Sequence, residues 1–260
     1  MKILISGKGG CGKSTLSVLI ARALKKAGHP VLLIDADESN LCLHRLLGAP
    51  APKNLMRKMG GRTGVREKLP RSKATPSTDR LFGKDITLAD LPDGSYTEID
   101  GIQLLVMGKI EEYGEGCACL IGSLSRTLLA RLRDADHPFV IIDAEAGVEH
   151  FGRRIDAACD LIIGVVDPTH ESFTLADRMD RMATAAGVTI RYVLNKVTPD
   201  VAAVMAKNIN PAKVIARIPL DTAIFSAGLK GAPLAANLSL ADDLVTFFES
   251  HRPPPRLKFT

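Results

Sequence analysis

The sequence predicts an α/β fold: a doubly wound, mostly parallel β-sheet flanked by helices. Three observations carry that expectation. Short apolar runs alternate with amphipathic stretches along most of the chain. The runs are apolar on both faces, as strands covered on each side of a parallel sheet must be. The first run passes through a glycine-rich turn straight into a helical pattern, which is how a βα unit begins.

The elements follow in order. A strand at 2–6 (KILIS) precedes a helix at 13–27, and a second strand, 30–35 (PVLLID), comes next. The alternation then stops. Residues 50–100 carry PAPKN, GGRTG, TPSTD and LPDGS with little periodicity, and a loop of that length in a compact domain is usually functional or unstructured. It resumes with strand 102–107, helix 121–135, and strands at 138–143 and 161–166. Helix 171–186, strand 190–195, helix 200–208, a strand near 214–219 and helix 239–250 complete the series. Prolines in RPPPRLKFT, after Ser250, cannot extend that last helix. The tail also lacks the pattern of a membrane-binding amphipathic helix.

A chain of 260 residues, 46% of them apolar, is long enough for one substantial core. The expectation is a single domain over 1–260 with a basic insertion at about 50–100. Between 51 and 90 there are ten Lys/Arg and four Asp/Glu, a local +6 against a net +5 for the whole chain. Such a surplus suits either a solvated surface or an acidic partner. No apolar run approaches the roughly 20 residues that span a bilayer, and no basic segment followed by an apolar one opens the chain. A soluble, cytoplasmic protein is expected. Five cysteines, an odd number without framework spacing, argue against a disulfide scaffold.

The turn after the first strand reads GKGGCGKST, residues 7–15, and matches G-x-x-x-x-G-K-[ST] through Gly7, Gly12, Lys13 and Ser14. Glycines let the backbone wrap a phosphate closely and aim its N–H groups inward, and the helix N-terminus adds positive charge. Lys13 reaches the terminal phosphates and the Ser14 hydroxyl can ligate Mg²⁺. The nucleotide-binding set is therefore Gly7, Lys8, Gly9, Gly10, Cys11, Gly12, Lys13, Ser14 and Thr15. Cys11 is expected to act there as a small space-filling residue.

Two further strand ends carry carboxylates. Asp35 and Asp37 sit at i and i+2 where the second strand runs out, and Asp143 ends the strand VIID. From a strand's carboxyl end such groups face a ligand crevice, though a strand-end Asp can also cap the next turn. Strand 190–195 ends in Asn195-Lys196, and an amide can donate and accept at once toward a base edge.

With Lys8 in front of it, the loop resembles the deviant Walker A loop of the class containing MinD, ParA, ArsA and the nitrogenase iron protein. That resemblance implies an ATPase, with ATP/ADP and Mg²⁺ as cofactors. It implies a nucleotide-dependent homodimer in which Lys8 reaches across to phosphates of the facing subunit. Lys8, Lys13 and Asp37 would be catalytic, Asp37 through the attacking water. Ser14 and Asp143 would hold Mg²⁺, with Asp35 near it. AEAGVEH, 144–150, resembles the second switch, and the role of His150 stays open. Asn195 would read the adenine edge, with 218–224 and 231–234 closing the base pocket.

One motif is left over. GEGCACL places Cys117 and Cys119 one residue apart. Two thiolates cannot close a tetrahedral site, but a symmetric dimer supplies four. An unliganded pair or a strained redox disulfide are the alternatives. KGGCGKST, DADESNL, GEGCACL and DAEAGVEHFGR, in this order, resemble the CooC-like ATPases. That resemblance implies metal binding by Cys117 and Cys119 at the dimer interface and nickel delivery to a metalloenzyme client such as carbon monoxide dehydrogenase. Leu120 stands where relatives often carry proline, which bears on the stiffness of the loop. Ni²⁺ or Zn²⁺ suits such thiolates, with an Fe–S cluster the weaker option.

The leading expectation is an ATP-dependent metallochaperone with no membrane partner. A ParA/MinD-like partitioning or positioning ATPase, using the basic 51–90 stretch on DNA, and an iron–sulfur electron-transfer ATPase are the alternatives. The first of these has no use for the cysteine pair, which weighs against nucleic acid as a partner. Cys42 and Cys159 lie in apolar patterns and are expected in the core.

Overall fold

The computed structural model describes residues 1–68, 81–83, 85–110, 119–133, 137–148, 151, 155–235 and 238–253. Cys117 and His150 lie outside the described residues. The strands are β1 (Lys2–Gly7), β2 (Val31–Asp35), β3 (Tyr96–Ile99), β4 (Ile102–Val106), β5 (Phe139–Asp143), β6 (Leu161–Val166), β7 (Ile190–Val197) and β8 (Val214–Pro219). They form one sheet in the order β3-β4-β2-β5-β1-β6-β7-β8. Every pairing is parallel except β3 with β4. The chain moves to one side of β1 for β2, β4 and β5 and to the other for β6 to β8. This reversal of winding at β1 opens a crevice beyond the carboxyl ends of the central strands.

Helices cover both faces. They are α1 (Lys13–Lys26), α2 (Leu43–Leu47), α3 (Leu55–Lys58), α4 (Gly61–Lys68), α5 (Cys119–Arg131), α6 (His170–Ala186), α7 (Pro199–Asn208), α8 (Thr222–Lys230) and α9 (Asp242–Ser250). Alternate residues of each strand feed opposite core layers, the period-two consequence of the pleat. Leu4, Leu32, Ile34, Leu105 and Ile142 join α5 and α6 through Leu124, Leu128 and Met179. Ile3, Ile5, Val31, Leu33 and Ile141 join α1 and α9 through Leu19, Ile20 and Phe248. The central strands β1, β2, β5 and β6 are buried along their whole length, as the two-faced apolar runs required. Among the described residues, no helix is long and apolar enough to cross a membrane.

The described residues of 50–100 are more ordered than their weak periodicity suggests. Short helices α3 and α4 and the edge strand β3 arise among them, and Leu55, Met56, Val65, Ile86 and Leu88 are buried in the core layer that also holds α5. Isolated apolar residues between turns were enough to anchor them. Cys42 is a correction: the residue expected in the core is exposed. It stands just before the one-turn helix α2, whose buried positions are taken by Leu43, Leu46 and Leu47. Cys159 is buried as expected.

Candidate functional site

The glycine-rich turn connects the end of β1 to the start of α1. Gly10 and Gly12 have φ of 74° and 104°, in the left-handed region open to glycine. A Cβ on Gly12 would collide with the Asn195 amide nitrogen, so the loop tolerates no side chain there. Gly12 is also the residue capping α1, and no side chain caps its first N–H groups. These donors, and the positive end of a 14-residue helix with no acidic group in its first turn, point into the crevice. Lys13 is buried, its Nζ donating to the Lys8 carbonyl at 3.1 Å.

Cys11 is fully buried, and burial pushes its thiol up to about 11. It fills space beneath the turn rather than acting as a nucleophile.

Below the loop lies an oxygen-rich cluster. Asp143 is entirely buried at the end of β5. Its carboxylate accepts from Ser14 Oγ at 2.6 Å and from Ser17 Oγ at 3.2 Å. Asn40 Nδ2 donates to Ser14 Oγ at 2.8 Å and to Asp143 at 3.3 Å. Burial raises Asp143 to about 6, against the hydrogen bond from Ser14 and the charge of Lys13. Register places Asp35 directly beside Asp143 on the adjacent strand. Burial raises Asp35 to about 7, with Lys109 opposing and Asp143 adding to the shift. Its Oδ2 is engaged by Lys109 at 2.7 Å, and its Oδ1 is buried without a partner among the described residues. Asp37 is buried, and its Oδ1 accepts from Ser39 N and Oγ at 2.9 and 2.6 Å.

Lys8 turns away from this cluster. Its ammonium lies 3.6 Å from Asp167 and 3.8 Å from Glu171, both near the start of α6. Lys196 approaches Asp167 at 3.7 Å and donates to the Gly10 carbonyl at 2.7 Å. Burial tends to raise Asp167, but hydrogen bonds from Ser172 and Thr169 and the two lysines hold it below the usual carboxylate range. A cavity of about 570 Å³ opens beside Lys8, lined by Gly9, Gly147, His170, Glu171 and Arg178. Gly147 N donates to the Gly7 carbonyl at 3.0 Å, which ties the loop after β5 to the glycine-rich turn.

A second cavity, about 280 Å³, lies on the other side of the turn. It is lined by Gly12, Thr15 and Asn195 below and by Leu220, Ile224 and Phe225 above. Asn195 Nδ2 donates to the Cys11 carbonyl at 2.8 Å. Its position, an amide edge next to the apolar Leu220, Ile224 and Phe225, suits a planar heterocycle.

The sequence-derived residues of the loop, with Asp35, Asp37, Asp143 and Asn195, thus converge on one crevice. Cys119 does not join them. It is the exposed first residue of α5. Among the described residues, no three His, Cys, Asp or Glu side chains cluster to hold a metal ion. Asn40, Ser17 and Lys109, and the role of Asp167, escaped the sequence reading. Lys109 and Asp167 both lie just past strand ends, the local signal that could have found them.

The CobQ/CobB/MinD/ParA nucleotide binding domain matches residues 2–234. The chain belongs to this family. It is an ATPase of the MinD/ParA class. Within the family, it is 44% identical over 245 residues to an uncharacterized ATP-binding protein of Methanocaldococcus jannaschii, covering 94% of this chain and 98% of that one. The carbon monoxide dehydrogenase accessory protein CooC of Rhodospirillum rubrum is 34% identical over 235 residues, covering 89% and 88%. MinD from Pyrococcus horikoshii, solved as a complex with Mg-ADP, has the same fold, with TM-score 0.63, 18% identity and 96% of each chain covered.

Proposed function

We propose that this ATPase is a metallochaperone: ATP binding joins two copies, and the joined copies hold a transition metal, nickel or zinc, between their C-x-C motifs for delivery to a metalloenzyme. The observation that carries the reading is the exposed Cys119 at the head of α5, two residues after Cys117. The similarity to CooC over most of both chains supports it. Thiolates are soft donors suited to nickel or zinc, and four from two chains complete a tetrahedral set.

The nucleotide chemistry follows from the crevice. The uncapped N–H groups of α1 and the Lys13 ammonium bind the terminal phosphates. Asn195 and the apolar wall of Leu220 and Phe225 hold the base. Asp143 and the Ser14 hydroxyl are hard oxygen donors in contact, a set that fits Mg²⁺, which would neutralise phosphate charge there. Asp37 stands at the crevice edge to orient the attacking water. Lys8, paired only loosely with Asp167 and Glu171, acts on the facing copy.

The test replaces both thiols. Cys117→Ser with Cys119→Ser should abolish stoichiometric Ni²⁺ and Zn²⁺ binding in equilibrium dialysis while nucleotide still binds. Unchanged metal stoichiometry would overturn the reading. A DNA-partitioning role, favoured by the +6 surplus at 51–90, instead predicts DNA binding that weakens steeply with salt.

A further inference from the structure

Lys196 holds an unusual place in the backbone. Its φ is 58°, in the left-handed region that a residue with a Cβ seldom enters. The pairing of β7 with β8 slips at the same point, between Leu194 and Val197. Irregularities of this kind re-aim a side chain. Here the Nζ reaches the glycine-rich turn and donates to the Gly10 carbonyl at 2.7 Å. Val166 pairs with Leu194, so Asp167 and Lys196 stand at the ends of adjacent strands. Two ammonium groups then address one carboxylate oxygen. Lys8 lies 3.6 Å and Lys196 3.7 Å from Asp167 Oδ2, while Oδ1 accepts from the Thr169 and Ser172 hydroxyls. Asp167 is buried, and its carboxyl is held below the usual carboxylate range, so it carries its charge at neutral pH.

We propose that Lys196 is a positioning residue of the ATPase: it neutralises Asp167, so that Lys8 is free to leave that carboxylate for a phosphate. A buried carboxylate with a single cation holds it firmly, because parting them leaves an uncompensated charge out of reach of water. With two cations on one oxygen, either can go while the other still balances the charge. Lys8 has little else to detain it, since Glu171 is exposed and its attraction is screened. Lys196 stays, held beside the turn by the Gly10 carbonyl and by its own backbone. This use of Lys196 rests on Lys8 acting at a phosphate, whether in its own copy or the facing one, and not on the metal reading.

The test measures ATP hydrolysis by the full-length protein at low salt. Lys196→Asn removes the ammonium, and asparagine tolerates the left-handed backbone, so the fold is kept. It should lower kcat at least about tenfold with KM for ATP changed by less than about threefold. Adding Asp167→Asn, which removes the charge that then detains Lys8 and keeps an acceptor for Thr169 and Ser172, should recover at least about fivefold. Lys196→Arg keeps the charge and should hold kcat within about threefold of wild type. In Lys8→Ala chains, Lys196→Asn should change the residual single-turnover rate by less than about twofold, because no Lys8 is there to detain. Wild-type kcat in Lys196→Asn, a loss that Asp167→Asn does not relieve, or an equal loss in Lys8→Ala chains would each overturn the proposal. Wild-type kcat in Lys8→Ala would overturn it together with the reading of Lys8, whereas an inactive Lys8→Ala beside an unaffected Lys196→Asn would overturn this proposal alone.

Discussion

Asp143→Asn should stabilise the nucleotide-free protein at neutral and alkaline pH while disabling its chemistry. The carboxyl is entirely buried, and burial raises it from 3.8 to about 6. A raised carboxyl binds its proton more tightly folded than unfolded. Its contribution to stability is therefore fully present below about pH 4 and is lost as pH rises through about 6. Above that, holding the charge in the fold costs about 3 kcal/mol, from two units at 1.36 kcal/mol each. The amide keeps an acceptor for one of the Ser14 and Ser17 hydroxyls and loses the other bond, worth about 1 kcal/mol. The net gain is about 2 kcal/mol at pH 8. In urea unfolding, with a slope of about 3 kcal/mol/M, the midpoint should rise by between about 0.5 and 1 M. The gain should shrink as pH falls from about 7 to 5. Mg²⁺-dependent ATP hydrolysis should disappear in the same variant. A variant destabilised at every pH, or stabilised equally at pH 5 and 8, would refute the account of Asp143 as a buried charge kept for its ligand.

Other sites give sharp expectations. Gly12→Ala forces φ of 104° on a residue with a Cβ and displaces Asn195 from the Cys11 carbonyl, so it should cost roughly 2–3 kcal/mol in urea unfolding and weaken nucleotide binding. Lys8→Ala should lower kcat by at least about 100-fold with little change in KM for ATP. Mixing Lys8→Ala with Asp37→Ala chains should recover up to about a quarter of wild-type turnover, since half the dimers then carry one intact site; no recovery would mean that Lys8 acts on its own chain. Asn195→Ala should erase most of the preference for ATP over GTP in competition binding, because its amide, among the polar groups lining the base pocket, can both donate and accept toward a base edge.

Much of the crevice was readable because its parts follow strands. β1, β2, β5 and β6 are buried apolar runs with the loop, Asp35, Asp37 and Asp143 at or just past their ends, and Asn195 lies in the partly buried β7, two residues before its end. Local pattern was enough there. Where the pattern was weak, the reading fell short. The edge strand β3, YTEI, is half-exposed and alternates poorly. Helix α8 is absent from the elements expected of the sequence, although Asp221 caps it through Ile224 N and Gly231 ends it with φ of 59°. Asn40, Ser17 and Lys109 take their roles from pairings such as Asp35 beside Asp143, and no local signal marks the strand order that creates them. The Lys8 contacts with Asp167 and Glu171 belong to the same category, since they join segments about 160 residues apart.

The most direct measurement is metal analysis of the anaerobically prepared wild-type protein, gel-filtered with and without a non-hydrolysable ATP analogue and Mg²⁺. The account predicts one nickel or zinc ion per two chains in the nucleotide-joined dimer, lost when Cys117 and Cys119 are replaced by serine. A dimer that forms with nucleotide and carries no thiolate-bound metal would contradict it.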